Sequence, residues 1–348
     1  MSYFRPNIEA MASYQPGEQP RGGEFIKLNT NENPYPPSPA VIEAIRRVAV
    51  EGLRKYPDPM ATAFREQAAR LLGVEPDWIL AGNGSDDLLT IVTRSFVGSG
   101  EMIVAPTPSY ILYRSLAEIQ GASFAEVPFT DTWDLPDKFD SPGARLAFLP
   151  NPNSPSGTMI APQRVRELAG RLHGSSPLVV DEAYTDFAEE NCVSLVRDLE
   201  NVIVTRSLSK SYSLAGIRFG YAVARPEIIA GMTKVKDSYN CDAVSIAAAT
   251  AALVDQEHFR QNTARIRATR ERMTAALRNF GFQLPDSQAN FVWCTHGPAP
   301  ARRLYEELKN RRILVRFMSY PGSGDGLRIS VGSDAEVDQL LEELKKII

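Results

Sequence analysis

The sequence predicts an α/β fold, with a large domain on a mostly parallel sheet and a smaller α+β domain after it. From Val74 to Arg225, short apolar runs that read as strands alternate with amphipathic runs that read as helices. Such alternation belongs to sheets covered by helices on both faces. Beyond Arg225 the texture changes to a long Ala-rich helical stretch and several short strands, which fits a second, smaller unit. A length of 348 residues with 43% hydrophobic content suffices for a sizeable core and a lesser one.

After the Pro- and Asn-rich lead-in NTNENPYPPSP, Ser38 and Pro39 read as the N-cap and first residue of the helix VIEAIRRVAVEGL. A second helix, MATAFREQAARLLG, ends at Gly73. Next come GNGSDDLLTIVTRSF as loop then helix, EMIVAP as strand, SYILYRSLAEIQG as helix, and ASFAEV and RLAFLP as strands. The turn NPNSPSGT leads into the helix PQRVRELAGRL and the strands PLVVDEA and NVIVTRS. The remainder reads as one helical stretch, AVSIAAATAALVDQEHFRQNTARIRATRERMTAAL, then the pieces ANFVWC, RILVRF and GLRISVG, and a last helix. The expected division is an N-terminal arm at 1–37 that contributes to the small domain, a large domain at 38–240 and a small domain at 241–348.

Composition narrows the function. A net charge of −4 and a pI near 5.6 leave no basic surplus for a phosphate backbone, so nucleic acid is not an expected partner. No leader pattern stands between Met1 and Pro20 and no apolar run reaches the length of a bilayer span. The expectation is a soluble, cytoplasmic protein with no membrane partner. Cys192, Cys241 and Cys294 lie far apart without CxxC pairing and read as buried free thiols. With His173, His258 and His296 equally scattered, neither a metal site nor a Ser-His-Asp hydrolase has its parts.

In open α/β sheets, ligands bind beyond the carboxyl ends of the strands. Five polar segments fall there: Asp181 after PLVV, SLSK after NVIVT, NPNSPSG after LAFLP, PTPSY after MIVA, and GNGSDD after WILA. Lys210, drawn into a desolvated and cation-rich pocket, would lose proton affinity and become an amine able to form a Schiff base. Arg218 offers a fork for a dianionic phosphate, Ser207 and Ser209 offer hydroxyls, and a helix starting near Ser85 offers backbone N–H groups, with Gly84 allowing close approach. An ordinary capped helix would read the same way at GNGSDD. Asp181 at a buried strand end needs a cationic or donor partner, and a protonated pyridine nitrogen would serve. Tyr184 could reach a phenolate oxygen on that ring and Tyr110 could cover its face, although either could be core packing. An amine, a phosphate cup, an acid for a ring nitrogen and an aromatic lid are together the complement of pyridoxal 5'-phosphate. The Ser207-x-x-Lys210 spacing also occurs in serine acylases, whose companion motifs are missing here.

These residues resemble the fold-type I, class I/II aminotransferases, and within them the histidinol-phosphate aminotransferases. The resemblance runs through SYQPGEQP, KLNTNENPYPPSP, KYPDP, GNGSDD, PTPSY, NPNSPSG, DEAYTDF, SLSKSYSLAGIRFGY and GLRISVG, which is nearly the whole chain. It implies the fold-type I PLP-dependent transferase architecture and a transamination of L-histidinol phosphate with 2-oxoglutarate. Lys210 is then the Schiff-base lysine, Asp181 the partner of the ring nitrogen, Tyr184 a donor to the ring oxygen and Tyr110 the stacking residue. Ser207, Ser209, Arg218 and the turn Gly84-Ser85-Asp86 would hold the cofactor phosphate, with Tyr56 of KYPDP reaching across from the second subunit of a homodimer. Arg328 resembles the arginine that takes the substrate carboxylate or phosphate, with Arg316 and Tyr14 as helpers. The chain departs from the family at Ser154, where Asn usually donates to the ring oxygen, and at Asp87, where Glu is common. Either Ser154 or Asn153 could replace the missing donor, or Tyr184 could act alone. Aromatic amino-acid aminotransferases and threonine-phosphate decarboxylase share most of these motifs, and a non-enzymatic phosphate-binding protein could share the cup.

Overall fold

The computed structural model describes residues 2–12, 17–19, 24–139, 142–320 and 324–348. A one-turn helix α1 (Pro6–Ala10) and a short strand β1 (Ile26–Leu28) precede α2 (Pro39–Glu51) and α3 (Thr62–Leu72). Ser38 caps α2 by accepting from the Ala40 amide, and Gly73 closes α3 at φ +65°, where a side chain would be strained. Then follow β2 (Ile79–Gly82), α4 (Ser85–Phe96), β3 (Met102–Thr107), α5 (Leu112–Gln120), β4 (Ser123–Pro128) and β5 (Ala144–Pro150). The alternation continues with α6 (Pro162–Leu172), β6 (Leu178–Asp181), α7 (Leu195–Asp198), β7 (Val202–Ser207), β8 (Gly220–Val223) and α8 (Pro226–Thr233).

These strands build a seven-stranded sheet in the order β2-β8-β7-β6-β5-β3-β4. β8 runs antiparallel to β7 and β2, and the other pairings are parallel. Helices cover both faces, so the central strands are apolar on both sides and their alternating side chains feed two separate cores. Leu178 and Val180 of β6 and Val202 and Val204 of β7 enter one core, and Val179 and Ile203 enter the other. Each such buried aliphatic side chain contributes about 1.5–3 kcal/mol. The carboxyl ends of β2, β3, β5, β6 and β7 meet at one edge, and every polar segment named above sits there.

The C-terminal part comprises α9 (Ala243–Val254), α10 (Gln256–Asn279), β9 (Phe282–Gln283), β10 (Phe291–His296), α11 (Ala301–Asn310), β11 (Ile313–Tyr320), β12 (Gly324–Ser330) and α12 (Asp334–Ile347). Its five-stranded sheet has the order β1-β11-β12-β10-β9, so the N-terminal lead-in donates β1 to it by pairing parallel to β11. α10, α11 and α12 close a third core over this sheet.

Three features differ from the expected elements. The single Ala-rich helix is two, because Asp255 caps a fresh start at α10 by accepting from the His258 amide. β8 reads in sequence as a continuation of the SLSK loop, and becomes a strand because it fills the gap between β7 and β2. α9 packs on α2 and α3, and its Ala248, Ala249, Ala252 and Leu253 join the first core, although the division expected at 240/241 puts it with the C-terminal unit. A helix rich in Ala on every side carries no single apolar stripe to show where it docks.

Candidate active site

A cavity of about 860 Å³ opens at the carboxyl edge of the large sheet and is walled on its far side by β11 and β12. The structure brings Ser85, Asp86, Tyr110, Ser154, Asp181, Tyr184, Ser207, Ser209, Lys210, Arg218, Arg316 and Arg328 into its walls.

Lys210 stands past the end of β7, where Nζ donates to the Thr30 carbonyl at 3.2 Å and lies 5.9 Å from the Tyr184 ring centroid. Its backbone is held from the lead-in, because the Asn33 amide donates to the carbonyls of Lys210 and Ser211. Burial pushes its amine down to about 8, helped by the Arg328 and Arg218 cations and opposed by the Glu32 and Asp86 carboxylates. Asp181 ends β6, and burial pushes its carboxyl up to about 6 against hydrogen bonds from Tyr113, Thr205 and the Ala183 amide. Tyr184 is raised by burial as well, and its hydroxyl accepts from the Asn31 amide at 3.0 Å.

The end of the cavity at α4 is built from backbone. α4 begins at Ser85 and no side chain caps its first turn, which leaves N–H groups and the positive end of its dipole facing the cavity. Gly84 has φ +83°, and a Cβ there would stand 2.7 Å from Arg218 Nη2. Arg218 donates to Ser209 Oγ at 3.2 Å and pairs with Asp86 at 3.4 Å. Ser207 Oγ accepts from the Ser209 amide, which shapes the turn ahead of the lysine.

At the opposite end, Arg316 and Arg328 face one another across the antiparallel pair β11–β12. Like charges directly opposite repel, and an anion placed between the two would relieve that repulsion. Arg328 donates to Ser154 Oγ at 3.0 Å and to the Asn29 carbonyl at 3.3 Å, and its buried Nε has no partner among the described residues.

Four sequence candidates stand apart. Asn153 does not line the cavity: its amide donates to Pro108 O and Ser156 Oγ, and its buried Oδ1 has no partner among the described residues. Gly84 acts by leaving room rather than by lining the wall. Tyr56 is 81% exposed, stacks on Tyr239 at 4.6 Å and is outside the cavity of its own chain. Tyr14 lies outside the described residues. Conversely, sequence reasoning missed Tyr113, Thr205, Asn31 and Asn33. The run NTNENP was the available signal for the last two, since a cluster of amides beside a strand seldom stays unpaired.

The donor set therefore fits a ligand with a phosphate beside the first turn of α4, a cationic ring nitrogen beside Asp181 and a carbonyl within reach of Lys210. The sequence pattern of the family described as aminotransferase class I and II matches residues 23–344. The chain belongs to this family. A histidinol-phosphate aminotransferase of Rhodopirellula baltica is 56% identical over 338 residues, covering 96% of this chain and 93% of its own. Histidinol-phosphate aminotransferase 1 of Trichormus variabilis is 46% identical, covering 100% of this chain and 99% of its own. Among solved structures, the histidinol-phosphate aminotransferase of Sinorhizobium meliloti in complex with pyridoxal-5'-phosphate superposes with a TM-score of 0.89 at 30% identity, over 100% of this chain and 98% of that one. The fold is that of the fold-type I aminotransferases, and the enzyme is a transferase. Among the described residues, no helix is long and apolar enough to cross a membrane, and no three His, Cys, Asp or Glu side chains gather as metal ligands.

Proposed function

We propose that this chain carries pyridoxal 5'-phosphate and transfers the amino group of L-histidinol phosphate to 2-oxoglutarate, giving imidazole-acetol phosphate and L-glutamate in histidine biosynthesis. The observation that carries the reading is one cavity with the Lys210 amine between a phosphate cup and a paired-arginine anion site. Relatives of 46–56% identity over almost the whole chain bear the name of that activity.

Bound there, the cofactor supplies an aldehyde for the amino group and a ring that draws electrons from the substrate Cα. Lys210 would hold the aldehyde, and its amine, pushed down to about 8, keeps an unprotonated fraction at neutral pH with which to move a proton at Nζ. Asp181 would offer the negative charge that keeps a ring nitrogen protonated, and Tyr184 would donate to a ring oxygen. Arg218, Ser207, Ser209 and the first turn of α4 would take the phosphate, and Tyr110 would cover the ring. Arg328, steered by Ser154 and flanked by Arg316, meets the anionic end of each substrate in turn. One guanidinium site for a phosphate ester and a carboxylate suits a reaction whose two substrates share it.

We further read the working form as a cytoplasmic homodimer with an arm at 1–37, a large domain at 38–240 and a small domain at 241–348, whose first helix α9 docks on α2 and α3 of the large domain. An exposed Tyr56 and an apolar groove of about 540 Å³ between α2 and α9 support self-association. Sedimentation is expected to give twice the chain mass, and a monomer at micromolar concentration would remove the trans role of Tyr56. The substrate assignment is tested by assaying histidinol phosphate, phenylalanine and tyrosine with 2-oxoglutarate, and threonine phosphate for carbon dioxide release. Histidinol phosphate is expected to have the highest kcat/KM; a higher value for an aromatic amino acid, or decarboxylation, would refute it.

A further inference from the structure

Tyr113 lies on the cavity-facing side of α5, yet it does not line the cavity. It is fully buried, stacked on Phe148 of β5 with ring centroids 4.5 Å apart and planes 7° from parallel, and touched edge-on by Tyr110 at 5.7 Å. From there its hydroxyl donates to Asp181 Oδ2 at 2.8 Å, while Thr205 Oγ1 donates to Oδ1 at 3.3 Å. Each carboxylate oxygen thus has a donor behind it, and the group faces the cavity with its orientation already set.

We propose that Tyr113 is the positioning residue of Asp181, a phenol fixed by its stack on Phe148 that keeps the carboxylate ionised and aimed at a cationic ring nitrogen. A phenol can donate to a carboxylate, and donation favours the ionised form over the acid. Burial and the neighbouring carboxylate drive the Tyr113 proton off only far above the usual range, so this hydroxyl remains a donor throughout the working pH range. The need for such a donor is visible in Asp181 itself, where burial alone pulls toward the neutral acid. A neutral acid could not keep a ring nitrogen protonated. The other charged and titratable groups around this carboxylate are Asp86, Tyr110, Tyr184, Lys210, Arg218 and Arg328, and replacing Tyr113 leaves all of them in place.

The inference deepens the cofactor reading and rests on it, so the test needs one readout without the cofactor and one with it. In the cofactor-free protein, the Asp181 carboxyl is titrated by pH-dependent infrared difference spectroscopy with ¹³C-labelled aspartate, its band assigned by subtracting the spectrum of Asp181→Asn. Tyr113→Phe keeps the stacked ring and is expected to raise that pKa by about one unit, the size of a lost hydrogen bond to a charge. Fluorescence titration is expected to show pyridoxal phosphate binding about tenfold more weakly to Tyr113→Phe, while KM for the amino donor moves little and kcat falls. An Asp181 titration unchanged by the variant, in a wild type that binds the cofactor normally, overturns the proposal and leaves the function standing. Wild type that fails to bind pyridoxal phosphate overturns the functional reading and this inference with it. Should Tyr113→Phe not fold, 3-fluorotyrosine incorporated at position 113 keeps the ring and makes the phenol a stronger donor, and is expected to lower the Asp181 pKa and tighten cofactor binding; no change in either overturns the proposal.

Discussion

In the proposed function Lys210 is the residue on which the chemistry turns, because its amine is held where burial and two guanidinium groups lower its proton affinity. Lys210→Ala is expected to retain the fold and bind pyridoxal phosphate noncovalently, while turnover drops by at least about 10³-fold. Borohydride followed by peptide mapping of wild type should place the added mass on the peptide carrying Lys210. Ser154 shows how one short side chain is reassigned. Where the family usually has Asn reaching the ring oxygen, its hydroxyl here accepts from Arg328. Ser154→Ala should therefore raise KM for glutamate and for histidinol phosphate about three- to tenfold with a smaller change in kcat, by the worth of one hydrogen bond to a charged group. Steady-state kinetics on both substrates checks this, and a fall in kcat alone would place the serine's role at the ring instead. Neither partner of this pair could be matched from sequence, since 174 positions separate them.

At the scale of elements, the proposed phosphate cup depends on how closely the first turn of α4 approaches β8. A Cβ added at Gly220 would stand 2.6 Å from Arg206 O, 2.8 Å from Ser85 N and 2.9 Å from Gly84 C, all of them backbone atoms that cannot swing aside. Gly220→Ala is expected to cost about 1–3 kcal/mol of stability by overpacking and to weaken cofactor binding by pushing α4 away. Urea denaturation and a fluorescence titration would measure the two effects; an unchanged cofactor affinity would mean that α4 does not bear on the phosphate. The glycine is easy to see in RFGY, yet its reason is not, because β8 lies next to β2 in space and 138 residues from it at the Gly82–Gly220 pair. The same limit explains why an amphipathic reading recovered α5 but did not single out Tyr113. Helical periodicity says that a side chain points inward, and says nothing of the carboxylate it meets there.

At the scale of the whole molecule, the site is kept at a cost in stability that depends on pH. The folded-state pKa of Asp181 lies above its unfolded value, at about 6 against 3.8, so between those values the folded chain holds the extra proton and stability falls as pH rises. For Lys210, lowered from 10.5 to about 8, the unfolded chain holds the extra proton between those values, so stability rises with pH there. Relative to Asp181→Asn, the cofactor-free wild type is expected to lose on the order of 3 kcal/mol between pH 4 and pH 7, the equivalent of a shift of about two units. Urea titrations of both proteins at the two pH values would reveal it, and a constant difference would mean that Asp181 carries no such strain. The asparagine protein, more stable at neutral pH, should be the poorer catalyst.

The sequence by itself determined the α/β class, the run of strands whose ends carry the polar segments, and the identities of Lys210, Asp181, Arg218 and Arg328. Those features are written in local periodicity and in side chains whose chemistry is confined to a few uses. Tertiary structure alone decided that β1 belongs to the far sheet, that α9 packs with α2, that Ser154 steers Arg328 while Asn153 turns away, and that Tyr113 backs Asp181. Each of these depends on contacts between segments distant in the chain, where packing and the need to pair every buried polar group choose among arrangements that local sequence leaves equal.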